Sequence, residues 1–436
     1  MSTFFSKIRY LPVALGATYL ATTILLFFAG PFDWPIRNAD VLTMFLSACV
    51  AGIVLGFLIG SYVGVPRQHF AGWRMFFRFG AVASVILLFP STWVYTGKWP
   101  WEIVSVLGDQ GEAYREMLAA LEANESGIRP YVAVVRAVLA PFVFCVIPFG
   151  ILRWRELRRA DVALLVLHII AILIFSLMRG TDRETGDLLI IVGATFMVVM
   201  GRLGIKRGRF PFSASKFVVA SVAFGLFLCA TFFLFVDRKE SRMGGSDAFC
   251  VAEGVVCSVR DANEDPLRAR ATFGLEMMTA YASQGYYGLS LALEENFTST
   301  YGLGHSAFLM SFFSSNVDES LYQRSYVAKL RAVGWDDKSN WSTLFSWIAS
   351  DIGFPIVPVV MVVFGAVWAI AWKSAVQCTS DIGALIFLYS CLLVFYIPAN
   401  NQLTQTVDSY FSALFWFFLW VMKGYPRAAC AAGFRR

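Results

Sequence analysis

Ten apolar runs recur along the chain, at 11–30, 41–65, 80–97, 132–151, 162–177, 188–201, 213–235, 355–372, 382–398 and 409–422. A helix that crosses a bilayer needs about 20 mostly apolar residues, and only a backbone that satisfies its own hydrogen bonds is tolerated in the hydrocarbon layer. So many runs leave one class open, an all-α polytopic membrane protein. Composition agrees, with 58% hydrophobic and only 15% charged residues among 436 and a mean hydropathy of +0.62, against about 25% charged in a soluble domain. The first run is long for a signal-peptide core and lacks a clear small-x-small cleavage site, so it reads as a retained helix. The runs at 188–201 and 409–422 are short and are expected to borrow flanking residues.

Ten crossings put both termini on one side, and the Lys/Arg bias assigns that side to the cytoplasm. With the termini inside, 19 of the 36 basic residues lie in inner segments and six in the short outer loops. Of the 30 acidic residues only Glu156, Asp161 and Asp381 are inside. The net charge of +6 is therefore mostly a topology signal. The long outer segment 236–340 carries ten basic and 14 acidic residues, so it has no nucleic-acid footprint. The expected organisation is an N-terminal bundle of seven helices over 1–235, a large outer loop over 236–354, and three helices with a tail over 355–436.

Two outer segments are more than connections. Residues 98–131 open on the aromatic pair Trp99 and Trp101 and continue through Glu112, Glu116, Glu122 and Glu125, which reads as an amphipathic helix lying over the bundle. The segment 236–354 alternates polar stretches with apolar ones at 274–293 and 302–314. Gly285, Gly288, Gly302 and Gly304 interrupt these, predicting short helices that dip into the bilayer or pack on the bundle, beside an outer-leaflet cavity. Cys250 and Cys257 share this segment and are placed to form a disulfide in an oxidising compartment. Without nearby histidines the same pair is a poor zinc signal.

Signatures of soluble enzymes are missing: no GxxxxGK loop, no HExxH and no G-x-S-x-G. Of the three histidines, His69 falls in an inner loop, His168 within the fifth run, and His305 in the outer segment between two apolar stretches. His168 reads as a helix-packing hydrogen bonder; His305 reads equally as structural or as catalytic. The sharpest local feature is the loop Met178-Arg179-Gly180-Thr181-Asp182-Arg183-Glu184-Thr185-Gly186-Asp187, with five charged residues at the junction of two apolar runs. Arg179 and Arg183 are four apart and share a face if the helix continues one more turn. Two guanidiniums there suit a diphosphate, with Asp182, Glu184 and Asp187 holding them or accepting a proton. The same cluster also reads as a self-neutralising loop that caps two helices. Arg268, Arg270 and Arg324 are further candidates for phosphate or sugar acids. Tyr281, Tyr286, Tyr287 and Tyr301 suit sugar stacking or interfacial anchoring.

The charged arginine loop near mid-chain, the long outer segment with Tyr286-Tyr287-Gly288-Leu289 and Thr300-Tyr301-Gly302, and Trp341-Ser342-Thr343 leading to Asp351-Ile352-Gly353 and an apolar helix together resemble the O-antigen polymerase (Wzy-type) family. The ordered motifs cover roughly 160–375. The chain departs from the family pattern where Pro355 and Ile356 stand in place of a second glycine. The resemblance implies a GT-C-like glycosyltransferase of the bacterial inner membrane, metal-independent and without a cofactor. It would act on undecaprenyl-diphosphate-linked oligosaccharide at the periplasmic face, with a chain-length regulator and a flippase as prospective partners. It also implies Arg179 and Arg183 as the outer-loop arginines; among the residues themselves Asp182, Asp351 and His305 are the candidates for the base. A ligase on a similar scaffold is a second enzyme reading. A transporter or flippase is the reading from another class, for which only Arg136 and His168 stand out as ionisable groups inside the runs.

Overall fold

The computed structural model describes residues 3–65, 70–108, 110–123, 127–209, 214–243, 245, 248–252, 255–259, 265–336 and 340–424. His69, Glu125 and the tail from 425 onward lie outside them. Each of the ten apolar runs is the body of a helix: Leu11–Ala29, Ala39–Tyr62, Trp73–Thr96, Arg129–Phe144 continued by Val146–Leu152, Arg159–Met178, Arg183–Arg207, Ala214–Met243, Val357–Val376, Asp381–Tyr396 and Val407–Gly424. Seven of the helices among the described residues are long and apolar enough to cross a membrane, and Asp381–Tyr396 is a shorter apolar one. Leu11–Ala29, Arg129–Phe144 and Val357–Val376 each carry proline in the first turn, where the missing N–H costs no helical bond and φ is already set.

The tightest helix pair is Ala39–Tyr62 against Val357–Val376. Gly52, Gly56 and Gly60 recur every four residues and so form one stripe. A Cβ on Gly56 would stand 1.9 Å from the Val362 carbonyl oxygen, and one on Gly60 2.3 Å from that of Ala366. Gly365 returns the contact, its Cβ position lying 2.1 Å from the Ile53 carbonyl oxygen. Small residues let two backbones meet where lipid supplies no hydrophobic drive between helices.

Arginine and lysine finish one end of the bundle. Arg9 donates to the Ser61 carbonyl at 2.6 Å, Lys373 to that of Val63 at 2.8 Å, and Arg202 to that of Ala375 at 2.8 Å. Arg153 pairs with Asp381 at 2.6 Å. Last-turn carbonyls lack helical partners, and a long cation satisfies them.

The opposite end carries the two larger connections. Helix Gln110–Ala123 lies over the turn after Met178, with the Gly180 Cβ position only 2.7 Å from the Gln110 carbonyl oxygen. Its Glu116 pairs with Lys98 at 2.6 Å. In the long segment, helix Ala214–Met243 runs past the expected boundary at 235. A two-stranded antiparallel hairpin, Ala248–Ala252 with Val256–Val259, follows, and Cys250 and Cys257 face each other across it in a disulfide, as expected. Helix Pro266–Ala292 comes next. Gly285 and Gly288 sit inside it without breaking it, contrary to the reading of 274–293 as interrupted. They admit the Pro398 carbonyl oxygen and the Trp335 ring, 2.1 and 2.7 Å from their Cβ positions. Short helices Ala307–Asn316, Ser320–Arg324, Tyr326–Ala332 and Leu344–Ile352 complete the segment.

Candidate functional site

Helix Arg159–Met178 ends before Arg179, and Gly180 turns the chain with φ +57° before the next helix begins at Arg183. The two arginines therefore do not share a continued helical face. They meet instead because the turn folds both into one cavity of about 600 Å³. Arg179 pairs with Glu184, whose other oxygen accepts from the Thr181 hydroxyl at 2.9 Å. Arg183 donates to the Gln402 carbonyl at 3.0 Å and faces Asp187 at 3.9 Å. The Tyr396 hydroxyl fixes Asp187 at 2.6 Å. Arg179 Nε is buried and has no hydrogen-bond partner among the described residues.

Two more arginines line the cavity from helix Arg129–Phe144. Arg136 pairs with Asp408 at 2.9 Å and donates to the Ser91 hydroxyl at 3.1 Å. Its Cζ stands 5.5 Å from the Tyr95 ring centre and 4.9 Å from that of Phe175, and Arg179 flanks the same rings at 5.7 and 5.2 Å. Arg129 lies 5.9 Å from Tyr95. Four arginines thus face three carboxylates, Glu184, Asp187 and Asp408. Elsewhere the wall is hydrocarbon, including Leu87, Leu88, Ala140, Val143 and Ile147. His168 also lines it, hydrogen-bonded through Nδ1 to the Ser84 hydroxyl at 2.7 Å, in keeping with a helix-packing role. The arrangement sets four arginines and three carboxylates, joined in ion pairs, against an apolar wall.

Asp182 points elsewhere. It takes Arg238 at 2.5 Å and Lys239 at 3.4 Å from helix Ala214–Met243, and it is not among the cavity-lining residues.

Asp351 and His305 come together as a second constellation. Asp351 accepts from the Thr300 hydroxyl, from the Gly304 N–H at 2.7 Å and from the His305 N–H at 2.9 Å. His305 Nδ1 lies 3.1 Å from the same carboxylate, and Nε2 lies 2.9 Å from the Tyr410 hydroxyl. A carboxylate only accepts, so Nδ1 carries the ring proton and Nε2 offers its lone pair to Tyr410. Burial pushes the Asp351 carboxyl up, but the hydrogen bonds from His305, Thr300 and Gly304 outweigh it and hold the group below its ordinary value.

Segment 401–410 touches both constellations. Gln402 and Asp408 face the arginines, while Asn401 donates to the His305 carbonyl at 2.9 Å and Thr404 does so at 2.6 Å.

The remaining candidates are dispersed. Tyr286 is wholly buried with its hydroxyl 2.8 Å from that of Thr23. Tyr287 is buried, 5.5 Å from the ring of Trp34 and 5.1 Å from that of Trp335. Neither has a face to offer a sugar, which corrects their reading as a stacking platform: both belong to the core that anchors the long segment. Tyr281 accepts from Lys239 at 2.7 Å. Arg270 is neutralised by Asp237 and Glu240 at 3.0 and 2.8 Å. The backbone of Arg268 is capped by Asp265. Arg324 donates to the hydroxyl of exposed Tyr301 at 2.9 Å, apart from the cavity. Among the described residues no three His, Cys, Asp or Glu side chains converge on a metal-binding geometry.

Asp408 and Tyr410 escape a reading of the sequence because each stands alone at the start of an apolar run. Arg136 is visible as a charge inside a run, yet its place at the site depends on the fold. No family model, no curated protein and no solved structure matches the chain.

Proposed function

We propose that the chain is a membrane glycosyltransferase that polymerises undecaprenyl-diphosphate-linked oligosaccharide repeat units at the periplasmic face of the bacterial inner membrane. On this reading it has ten crossings in a GT-C-like arrangement with both termini cytoplasmic. The observation that supports it best is the cavity that joins four arginines to a hydrocarbon wall. A polyprenyl donor is a diphosphate on an apolar tail, and fixed cations at the diphosphate stabilise the charge that develops as it departs.

In the proposed reaction the bond between the sugar anomeric carbon and the diphosphate oxygen breaks, and a bond from that carbon to an acceptor hydroxyl forms. Arg179, Arg183 and Arg136 take the leaving diphosphate. The acceptor proton goes to His305 Nε2, whose lone pair is set by the Asp351 contact at Nδ1 and is held by the Tyr410 hydroxyl until the acceptor takes that place. Asp182, tied to Arg238 and Lys239, drops behind His305 as base.

Arg179→Ala should abolish polymer laddering while the protein stays in the membrane; full-length polymer from that variant contradicts the assignment. Loss of a polymerase leaves single repeat units on the final carrier, whereas loss of a ligase leaves long lipid-linked polymer, so the null phenotype decides between these two enzymes.

A further inference from the structure

The carboxylates facing the cavity differ in how they are tethered. Glu184 and Asp187 lie on the same turn and helix as the arginines they hold, and each is fixed by a second hydroxyl, from Thr181 and Tyr396. Asp408 comes from a separate segment, in the first turn of helix Val407–Gly424, and its partners besides Arg136 belong to that same segment, the neighbouring Ser409 N–H at 3.0 Å and the Thr406 hydroxyl. Its partner Arg136 lies within a span, where a lone guanidinium is costly and requires an anion beside it. Asp408 supplies that anion at 2.9 Å. Two residues further along, Tyr410 covers His305 Nε2 at 2.9 Å.

Resting on the reading of this cavity as a diphosphate site, we propose that Asp408 is a resident counter-ion that holds the place of the diphosphate at Arg136. Binding of a polyprenyl diphosphate displaces it, and with it the Tyr410 hydroxyl that covers His305. A diphosphate carries more charge than one carboxylate and offers several acceptor oxygens to the guanidinium fork, so it outcompetes Asp408. Release of Asp408 frees the first turn of its helix, and the base is uncovered only when a donor occupies the cavity. Asp408 is a positioning residue in this scheme, and Arg136 a ligand to the diphosphate.

The test uses the purified full chain in detergent, with farnesyl diphosphate as the probe and isothermal titration calorimetry as the readout. Asp408→Asn, which keeps the shape and removes the charge, should bind the probe about tenfold more tightly than the wild type, and Arg136→Ala about tenfold more weakly or worse. Inorganic pyrophosphate should bind at least about tenfold more weakly than farnesyl diphosphate, since it has no chain to bury; equal affinity overturns the assignment to a lipid diphosphate. Hydrogen exchange on the wild type keeps the test open if the variants fail to fold: amides of 401–410 should exchange faster with the probe bound. If the wild type binds the probe but Asp408→Asn binds no more tightly, or 401–410 exchange is unchanged or slower, the counter-ion role is overturned and the diphosphate cavity stands. If the wild type does not bind, or Arg179→Ala binds as well as it, both fall.

Discussion

Asp351 shows at the scale of one residue how the long segment holds its histidine. Its two oxygens collect the Thr300 hydroxyl, two backbone N–H groups and the His305 ring, and these keep the carboxyl below its ordinary value. A depressed folded value means that the stabilisation is fully present above about pH 4 and is lost as pH falls through the folded value. At neutral pH the anchor is constant. Asp351→Asn removes the charge and leaves two N–H donors facing an amide, so the protein should lose about 1–3 kcal/mol, read as a lower unfolding temperature in detergent. Transfer activity should fall with it because the His305 tautomer is no longer imposed. An unchanged melting temperature contradicts this role. The arginines of 179–187 are legible because five charges crowd the junction of two apolar runs. Asp408 is not, because a single acid at the start of an apolar run also reads as an ordinary favourable charge at a helix N-terminus, and Arg136 is 272 positions away.

At the scale of elements, hydrophobic runs carried nearly all the information about where helices lie, since a span must be apolar throughout. Glycines were ambiguous. Gly285 and Gly288 read as breaks, yet they serve close approach inside one helix, because spacing alone does not say whether a missing Cβ frees the backbone or admits a neighbour. The same ambiguity hides the Gly52, Gly56 and Gly60 stripe. With Val362 oxygen 1.9 Å from the Cβ position, Gly56→Leu must push two helices apart. Overpacking of this kind costs about 1–3 kcal/mol or more, and the variant should melt at lower temperature; a neutral result shows that the helices do not pack through this stripe. The hairpin is closed by Cys250 and Cys257. Replacing both by serine should cost about 2 kcal/mol through freedom returned to the unfolded loop, read as a lower melting temperature, with a gel mobility that no longer changes on reduction confirming that the bond is gone.

For the whole molecule, charge sorting carries the proposed orientation and the fold assembles the candidate site. Cys378 is exposed in the turn between Val357–Val376 and Asp381–Tyr396, at the end finished by arginines and lysines. On the proposed topology a membrane-impermeant maleimide should label it in inverted vesicles and not in intact spheroplasts, and the reverse pattern inverts the whole assignment. The cavity was legible only in outline, because it is assembled from helices 73–96, 129–144, 146–152, 159–178, 183–207, 381–396, 402–405 and 407–424, which no local pattern brings together. The most direct test of the account is elongation by the purified protein in liposomes supplied with undecaprenyl-diphosphate-linked repeat units. The wild type should produce a ladder of lengthened glycans with release of undecaprenyl diphosphate, and the Arg179→Ala/Arg183→Ala double variant should produce none. Glycan carried across the bilayer without lengthening, or a double variant that elongates like the wild type, would contradict it.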